Sequence, residues 1–408
     1  MCIRDSLIRG IGYEMIERLV KSNRAIGMLD RTEISSKENW PDLSYTKFGP
    51  RFDPEGFADL ALEMVEQENI KLLLHTLVVD SIVRKNRIVG IVVENKSGRQ
   101  AVTAKVVIDA TGDADVSKFA GVPYEKLDRD KLYVVGIGFK LANVDTDKFI
   151  QYVRSKPDNL VWAHFPKNEI EVPEGIEKQV IAVFEKAKDE VVFEREEGVD
   201  LHLRSKLGWI TIYSGLKKGE GTLLPPYVSG DGTDVQDLTK TEIVMRRRAV
   251  ESLEWARKNI PGYESCHITG KELAIGVRET RRIIGEYVLT GEDVMQGRKF
   301  EDAIGRSMVE IDRHMSGEPR DSHMLLKNPY EIPYRCLIPK KIDNLIVVGR
   351  CISCDHLANG SVREVPVCWL TGQAGGTAAA LATKTSVMPR KLDVSLLQKT
   401  LREQEVVL

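Results

Sequence analysis

Apolar positions change their period several times along this chain, and the changes mark its elements. Across residues 12–19, Met15, Ile16 and Leu19 fall on one helical face, and Asn39-Trp40-Pro41-Asp42 breaks the pattern. A second helix is signalled by Asp53 as N-cap, Pro54 at its first position and Glu55 in its first turn. Phe57, Leu60, Ala61, Met64 and Val65 give it one apolar stripe, and it should end near Glu68-Asn69. From Lys71 the period shortens. Leu72-Leu73-Leu74 reads as a buried strand, continued by Val78-Val79. Residues 81–84, 88–94 and 101–105, separated by turns at Lys85-Asn86 and Lys96-Ser97-Gly98, predict a three-stranded antiparallel meander. The last of these runs into an apolar strand, 106–110, that ends in Thr111-Gly112.

The middle of the chain has another texture. Residues 169–200 carry eleven acidic and four basic side chains around Ile176, Val180, Val183, Phe184, Ala187 and Val191, which predicts an amphipathic helix with a solvated face. Gly, Pro and Asp punctuate residues 215–233 as a loop-rich stretch, and a helix bearing Arg246-Arg247-Arg248 follows. Adjacent arginines on a helix point in different directions, so this run is no phosphate clamp. Alternating strand and helix character returns at the end. A buried-strand pattern at 344–348 delivers Gly349-Arg350, a helix spans about 365–382, and a short terminal helix begins near Leu397. The fold class is therefore α/β.

Composition narrows the function classes. The chain has 408 residues, 42% hydrophobic and 29% charged, with 59 Lys plus Arg against 61 Asp plus Glu and a formal net charge of −2. That excludes a disordered tail and lacks the basic excess of a nucleic-acid binder. Six cysteines are too few for a disulfide scaffold. The opening Met1-Cys2-Ile3-Arg4-Asp5-Ser6 has neither the apolar core nor the cleavage pattern of a signal peptide. The uncharged stretch 365–383 is long enough to span a membrane, but Thr371, Gln373, Thr377 and its three glycines mark a buried helix of a soluble protein. A cytoplasmic protein with no membrane partner is the expectation.

Chemistry can sit at two strand ends. In open α/β sheets ligands bind beyond the carboxyl ends of strands, and the small residues of Ala110-Thr111-Gly112-Asp113 would let backbone amides approach a phosphate or ribose. Gly349-Arg350-Cys351 would reach the same edge, followed by a helix with Gly372, Gly375 and Gly376, whose glycines suit close approach of a cofactor or of a neighbouring backbone. In Arg278-Glu279-Thr280-Arg281 an arginine could grip a substrate carboxylate, or Glu279 could simply pair with an arginine. His356, in the loop after the closing strand, suits proton transfer, and Arg363 is a further candidate. Cys351 and Cys354 have C-x-x-C spacing, open to a redox dithiol, but Cys336 and Cys368 supply no second pair for a metal site, and none is expected.

Residues 106–124 and 330–384, with Lys71-Leu72-Leu73-Leu74-His75-Thr76, Ala110 to Asp115, Gly276 to Arg282 and Gly372 to Thr377, resemble the FAD-dependent oxidoreductases related to the heterodisulfide-reductase flavoprotein subunit, and more distantly the fumarate reductase and succinate dehydrogenase flavoproteins. The resemblance implies FAD as cofactor, with Ala110, Thr111, Gly112 and Asp113 contacting the dinucleotide and Gly349, Arg350 and Cys351 lying along it. Amides at Gln373, Ala374 and Gly375 would face the flavin pyrimidine ring. It also implies a Rossmann-like FAD-binding domain split between residues 1–125 and 331–408 around an inserted α+β substrate or cap domain, 126–330. The expected activity is hydride transfer between a small organic substrate and flavin N5. His356, Arg278, Arg281, Glu279 and Arg363 would serve catalysis, and an electron-transfer partner or a second copy of the chain is expected beside the substrate. The family's opening G-x-G-x-x-G is absent, with Gly10-Ile11-Gly12 the nearest approach, so the first βα unit is expected to be missing and residues 1–6 to be an unrelated leader. Two alternatives stand: a cofactor-poor, non-catalytic remnant of the fold, and a flavin-linked dithiol or iron–sulfur-associated oxidoreductase.

Overall fold

The computed structural model describes residues 7, 9–26, 31–35, 51–155, 157–158, 160–166, 181–185, 209–214, 218–271, 274–315 and 322–408, so the expected leader and the break at Asn39-Trp40-Pro41-Asp42 lie outside the described residues. Near the start, helix Ile11–Lys21 buries Gly12, Met15, Ile16 and Leu19. Asp53 caps helix Pro54–Gln67 by accepting from the Glu55 amide, and the helix closes at Glu68 as its spacing predicts. The two helices share an apolar cluster with Ala25 and Phe52. Leu72-Leu73-Leu74 departs from the expectation. The three side chains are 45%, 46% and 59% exposed, and the strand that follows them starts only at Leu77. An apolar run becomes a buried strand only where a neighbouring strand pairs with it, and none does so among the described residues.

The meander forms as Leu77–Arg84, Arg87–Asn95 and Gly98–Thr103. Lys85 and Asn86 both take positive φ, 49° and 62°, the geometry of a tight two-residue hairpin. Val107–Asp109 then pairs in parallel with Leu345–Val347, in the register Val107 to Leu345, Ile108 to Ile346 and Asp109 to Val347. Parallel pairing gives both strands the same direction, so the segments after Asp109 and after Val347 leave at one carboxyl edge.

The middle of the chain builds a seven-stranded antiparallel sheet. Its order is His267–Lys271, Phe139–Ala142, Gly221–Leu224, Trp209–Ser214, Ile181–Glu185, Leu160–Pro166 and Arg31–Ser35. Ile181–Glu185 is thus a strand, which corrects the helix expected across residues 176–191. A run such as Ile181-Ala182-Val183-Phe184 satisfies either period, and pairing with Trp209–Ser214 decides it. The rest of that stripe lies outside the described residues. The loop-rich stretch likewise contains a strand, Gly221–Leu224. Helix Val235–Asn259 turns Leu253, Trp255 and Ala256 onto the core beneath this sheet. Arg248 of the arginine run goes inward, donating to the carbonyls of Pro226 and Tyr227, and burial lowers its pKa to about 10.

A further core gathers Leu289, Ile304 and Ile311 with Ile346, Val348, Val367, Ala374, Ala378 and Leu397. It lies under helices Val365–Thr385 and Val394–Glu403. Among the described residues, no helix is long and apolar enough to cross a membrane.

Candidate functional site

The first strand end is set by a buried carboxylate. Asp109 is fully buried and accepts from the amide and hydroxyl of Thr111 at 3.1 and 2.7 Å and from those of Ser117 at 2.8 and 2.6 Å. These four bonds fold the chain back into the short helix Asp115–Phe119 and leave Ala110 and Thr111 exposed at the edge. Gly112 follows with φ 77°, and a Cβ there would stand 2.8 Å from Nη2 of Arg350.

Arg350 comes from the other strand end. Its Nη2 pairs with Oδ1 of Asp113 at 2.9 Å, and the Thr280 hydroxyl donates to that same oxygen at 2.6 Å. Arg281 donates to the Asp113 carbonyl at 2.9 Å and pairs with Asp115 at 2.8 Å. Arg281 is therefore committed to holding the strand-end loop. Nη1 of Arg350 is buried with no hydrogen-bond partner among the described residues. Gly349, with φ 77°, donates its amide to the Thr371 hydroxyl at 3.0 Å, tying the loop to the long helix.

Helix Val365–Thr385 begins eight residues before Gln373, so the Gln373, Ala374 and Gly375 amides lie in its body and point along its axis to carbonyls one turn back. This departs from the expectation that they face a flavin ring. The Gln373 side chain instead accepts from the Ile11 amide at 3.1 Å. A Cβ on Gly375 would sit 2.4 Å from Val348 Cγ1, so this glycine lets the helix lie against the closing strand. Among the described residues, Gly372 and Gly376 have nothing within 4 Å of such a Cβ, and they leave that face of the helix open.

A second cluster is built around Tyr133. His356 stacks on its ring with centroids 4.4 Å apart at 22°, and Arg363 lies 5.3 Å from the same ring. Nδ1 of His356 lies 2.9 and 3.0 Å from the two oxygens of Glu279, whose side chain is fully buried. Glu279 also pairs with Arg282 at 3.0 Å. Arg363 donates to the Asp312 carbonyl at 2.9 Å and pairs with Glu364 at 2.8 Å. Asp312 in turn bonds His314 at 2.9 Å. Burial lowers the His314 pKa to about 3, with Arg278 and Arg363 adding to it against the pull of Asp312, so the ring is neutral.

Arg278 donates to the Val134 carbonyl at 2.7 Å and lies 4.3 Å over Tyr227. Among the described residues it has no carboxylate partner. Of the candidates named from sequence, Asp113, Arg350 and Arg281 thus meet at the strand ends, while Glu279, His356 and Arg363 meet around Tyr133. Tyr133, Tyr227, Asp312, His314 and Asp109 escaped sequence reasoning. Nothing in their spacing relates them to Glu279 or His356, although a carboxylate within a buried strand pattern could have flagged Asp109.

Cys351 and Cys354 belong to different apolar clusters. Burial pushes the Cys351 thiol well up and the Cys354 thiol to about 12, so neither supplies a thiolate at neutral pH. Among the described residues no cluster of His, Cys, Asp and Glu has the makings of a metal site.

A family model described as FAD dependent oxidoreductase matches residues 2–401. No curated protein matches the chain. Among solved structures, the chain is similar to a geranylgeranyl bacteriochlorophyll reductase-like protein from Thermoplasma acidophilum, at 12% identity and TM-score 0.44, covering 99% of this chain and 73% of that one. It is also similar to the flavin-dependent brominase Bmp2, at 11% identity and TM-score 0.44, covering 98% and 73%. The myxobacterial chondrochloren halogenase CndH is similar at 13% identity and TM-score 0.41, covering 98% and 69%.

Proposed function

Because the chain belongs to the FAD dependent oxidoreductase family, with FAD as its cofactor, we propose that it moves a hydride between a small organic substrate and flavin N5. The parallel pairing of Val107–Asp109 with Leu345–Val347 carries this reading, since it brings Thr111-Gly112 and Gly349-Arg350 to one carboxyl edge. The residues there suit FAD. Gly112 keeps the approach to Arg350 free of a side chain. The unpartnered Nη1 of Arg350 is a buried donor that a phosphate or flavin oxygen would satisfy. Gly372 and Gly376 leave room above the long helix. We read residues 1–125 and 331–408 as the discontinuous FAD-binding domain, Rossmann-like in type, and 126–330 as the inserted substrate or cap domain.

FAD, when bound, supplies two-electron chemistry at N5. The protein's own residues supply the rest. Arg350, anchored by Asp113, holds the cofactor edge. Arg278, with no carboxylate of its own among the described residues, orients the substrate. His356 exchanges the proton that accompanies hydride movement, and Arg363 keeps Tyr133 in place beneath it. Burial of Cys351 and Cys354 in separate clusters argues against the dithiol alternative. A small-molecule substrate, a cytoplasmic location and an electron-transfer partner or second copy complete the proposal. Titrating the purified protein with FAD tests it: saturable uptake with a perturbed flavin absorbance spectrum is expected, and colourless protein that takes up no added FAD would support the non-catalytic alternative instead.

A further inference from the structure

We propose that Glu279 is a positioning residue for His356, one that fixes the ring as the tautomer protonated on Nδ1 and leaves Nε2 as the proton-exchanging atom. This rests on the flavoenzyme reading only for the identity of the proton's other partner; the tautomer stands without it.

The geometry points one way. Both Glu279 oxygens lie within 3.0 Å of Nδ1. An ionised carboxylate only accepts, so the hydrogen between them belongs to Nδ1. Glu279 has no freedom to turn away. Oε1 also accepts from Nε of Arg282 at 3.0 Å, and Oε2 accepts from the Tyr133 amide at 3.3 Å. Arg282 is itself pinned by Glu125 at 2.9 Å and by the Cys354 carbonyl at 2.6 Å. The Tyr133 ring sets the plane of the imidazole, and its hydroxyl donates to the His356 carbonyl at 2.8 Å, so one residue holds both the ring and the backbone behind it.

On the far side, Nε2 faces Sδ of Met315 at 3.1 Å. A thioether has no hydrogen to donate and accepts only weakly, so it makes no hydrogen bond to a bare Nε2 and leaves that lone pair for a substrate hydroxyl or amine that displaces it. The step is a simple proton exchange. The substrate's O–H or N–H bond breaks, an N–H bond forms at Nε2, and Glu279 stabilises the resulting imidazolium through Nδ1–H. The 25% exposed ring then passes its proton to water. In the reverse direction the same atoms return it.

The test begins with the unaltered protein. In the full chain labelled with 15N-histidine, with the His356 signals assigned by their loss in His356→Gln, two-bond 1H–15N spectra at mildly alkaline pH should show Nδ1 protonated and Nε2 bare. The Nε2–H tautomer in that spectrum overturns the proposal, whatever any variant does.

Glu279→Gln adds the functional arm. Arg282, the shorter contact, keeps the amide oxygen at the Oε1 position, so the amide NH2 takes the Oε2 position, gives up the Tyr133 amide and donates to Nδ1, and His356 shifts to the Nε2–H form. In turnover, kcat should fall about a hundredfold while KM and FAD affinity stay within about twofold. A folded variant that keeps kcat, or that loses only KM, overturns the positioning role. Protein with the expected tautomer but no FAD uptake would keep this inference and remove the flavoenzyme reading, so the two failures are distinguishable.

Discussion

Asp113 shows how much one side chain can bind together. It receives Arg350, Thr280 and, through its carbonyl, Arg281, and so joins the two strand ends to the Arg278–Arg282 segment. Asp113→Ala leaves the partly buried Arg350 without its carboxylate, and it should cost about 1–3 kcal/mol in denaturant midpoint analysis. His314 makes the pH dependence of stability specific. A histidine in the unfolded chain titrates near 6.5, and this one titrates at about 3 in the fold. Its contribution is therefore fully present above about pH 6.5 and is lost as pH falls toward 3, because the unfolded chain takes up a proton that the fold refuses. Between pH 7.5 and 5 the wild type should lose about 1–2 kcal/mol more than His314→Gln in urea unfolding; equal losses would count against a neutral buried ring. Cys354→Ala bears on the dithiol alternative. A buried, protonated thiol predicts some loss of stability and retained turnover, whereas abolished turnover in folded protein would restore that alternative.

At the scale of elements, the long helix Val365–Thr385 separates two roles that its glycines share in sequence. Gly375→Ala forces a methyl into Val348 and should destabilise by about 1–3 kcal/mol. Gly372→Ala meets open space among the described residues, and in FAD-free protein it should gain up to about 1 kcal/mol from helix propensity. Melting temperatures of the two variants check both signs. These elements also show what a sequence declares. Asp53, Pro54 and the apolar stripe behind them specify their helix because capping and periodicity are local. The meander is equally legible, its turns falling at residues that accept positive φ. Ile181–Glu185 and Leu72-Leu73-Leu74 are not legible, since the choice between strand, helix and exposed run depends on whether a distant strand arrives to pair. Where the Gln373 to Gly375 amides lie is not legible for a related reason: it depends on where the helix begins, and the helix starts at Val365, with Pro366 in its first turn, well upstream of them.

For the molecule as a whole, the α/β class is legible in the changes of period, and the family and cofactor in a resemblance spread over most of the chain, which the family match over residues 2–401 bears out; the parallel pairing of Val107–Asp109 with Leu345–Val347 gives two of its stretches a common edge. The cluster around Tyr133 is a property of the whole fold. Residues from four separate parts of the chain, near 133, 227, 279–314 and 356–363, meet there, and no spacing in the sequence announces it. The central claim is that FAD lies along the Thr111-Gly112 and Gly349-Arg350 edge, held by Arg350. The most direct measurement is the FAD dissociation constant of the wild type against Arg350→Met, read from flavin absorbance. Saturable binding by the wild type, weakened at least about tenfold in a folded Arg350→Met protein, is the predicted result; equal affinity in the two proteins would contradict it.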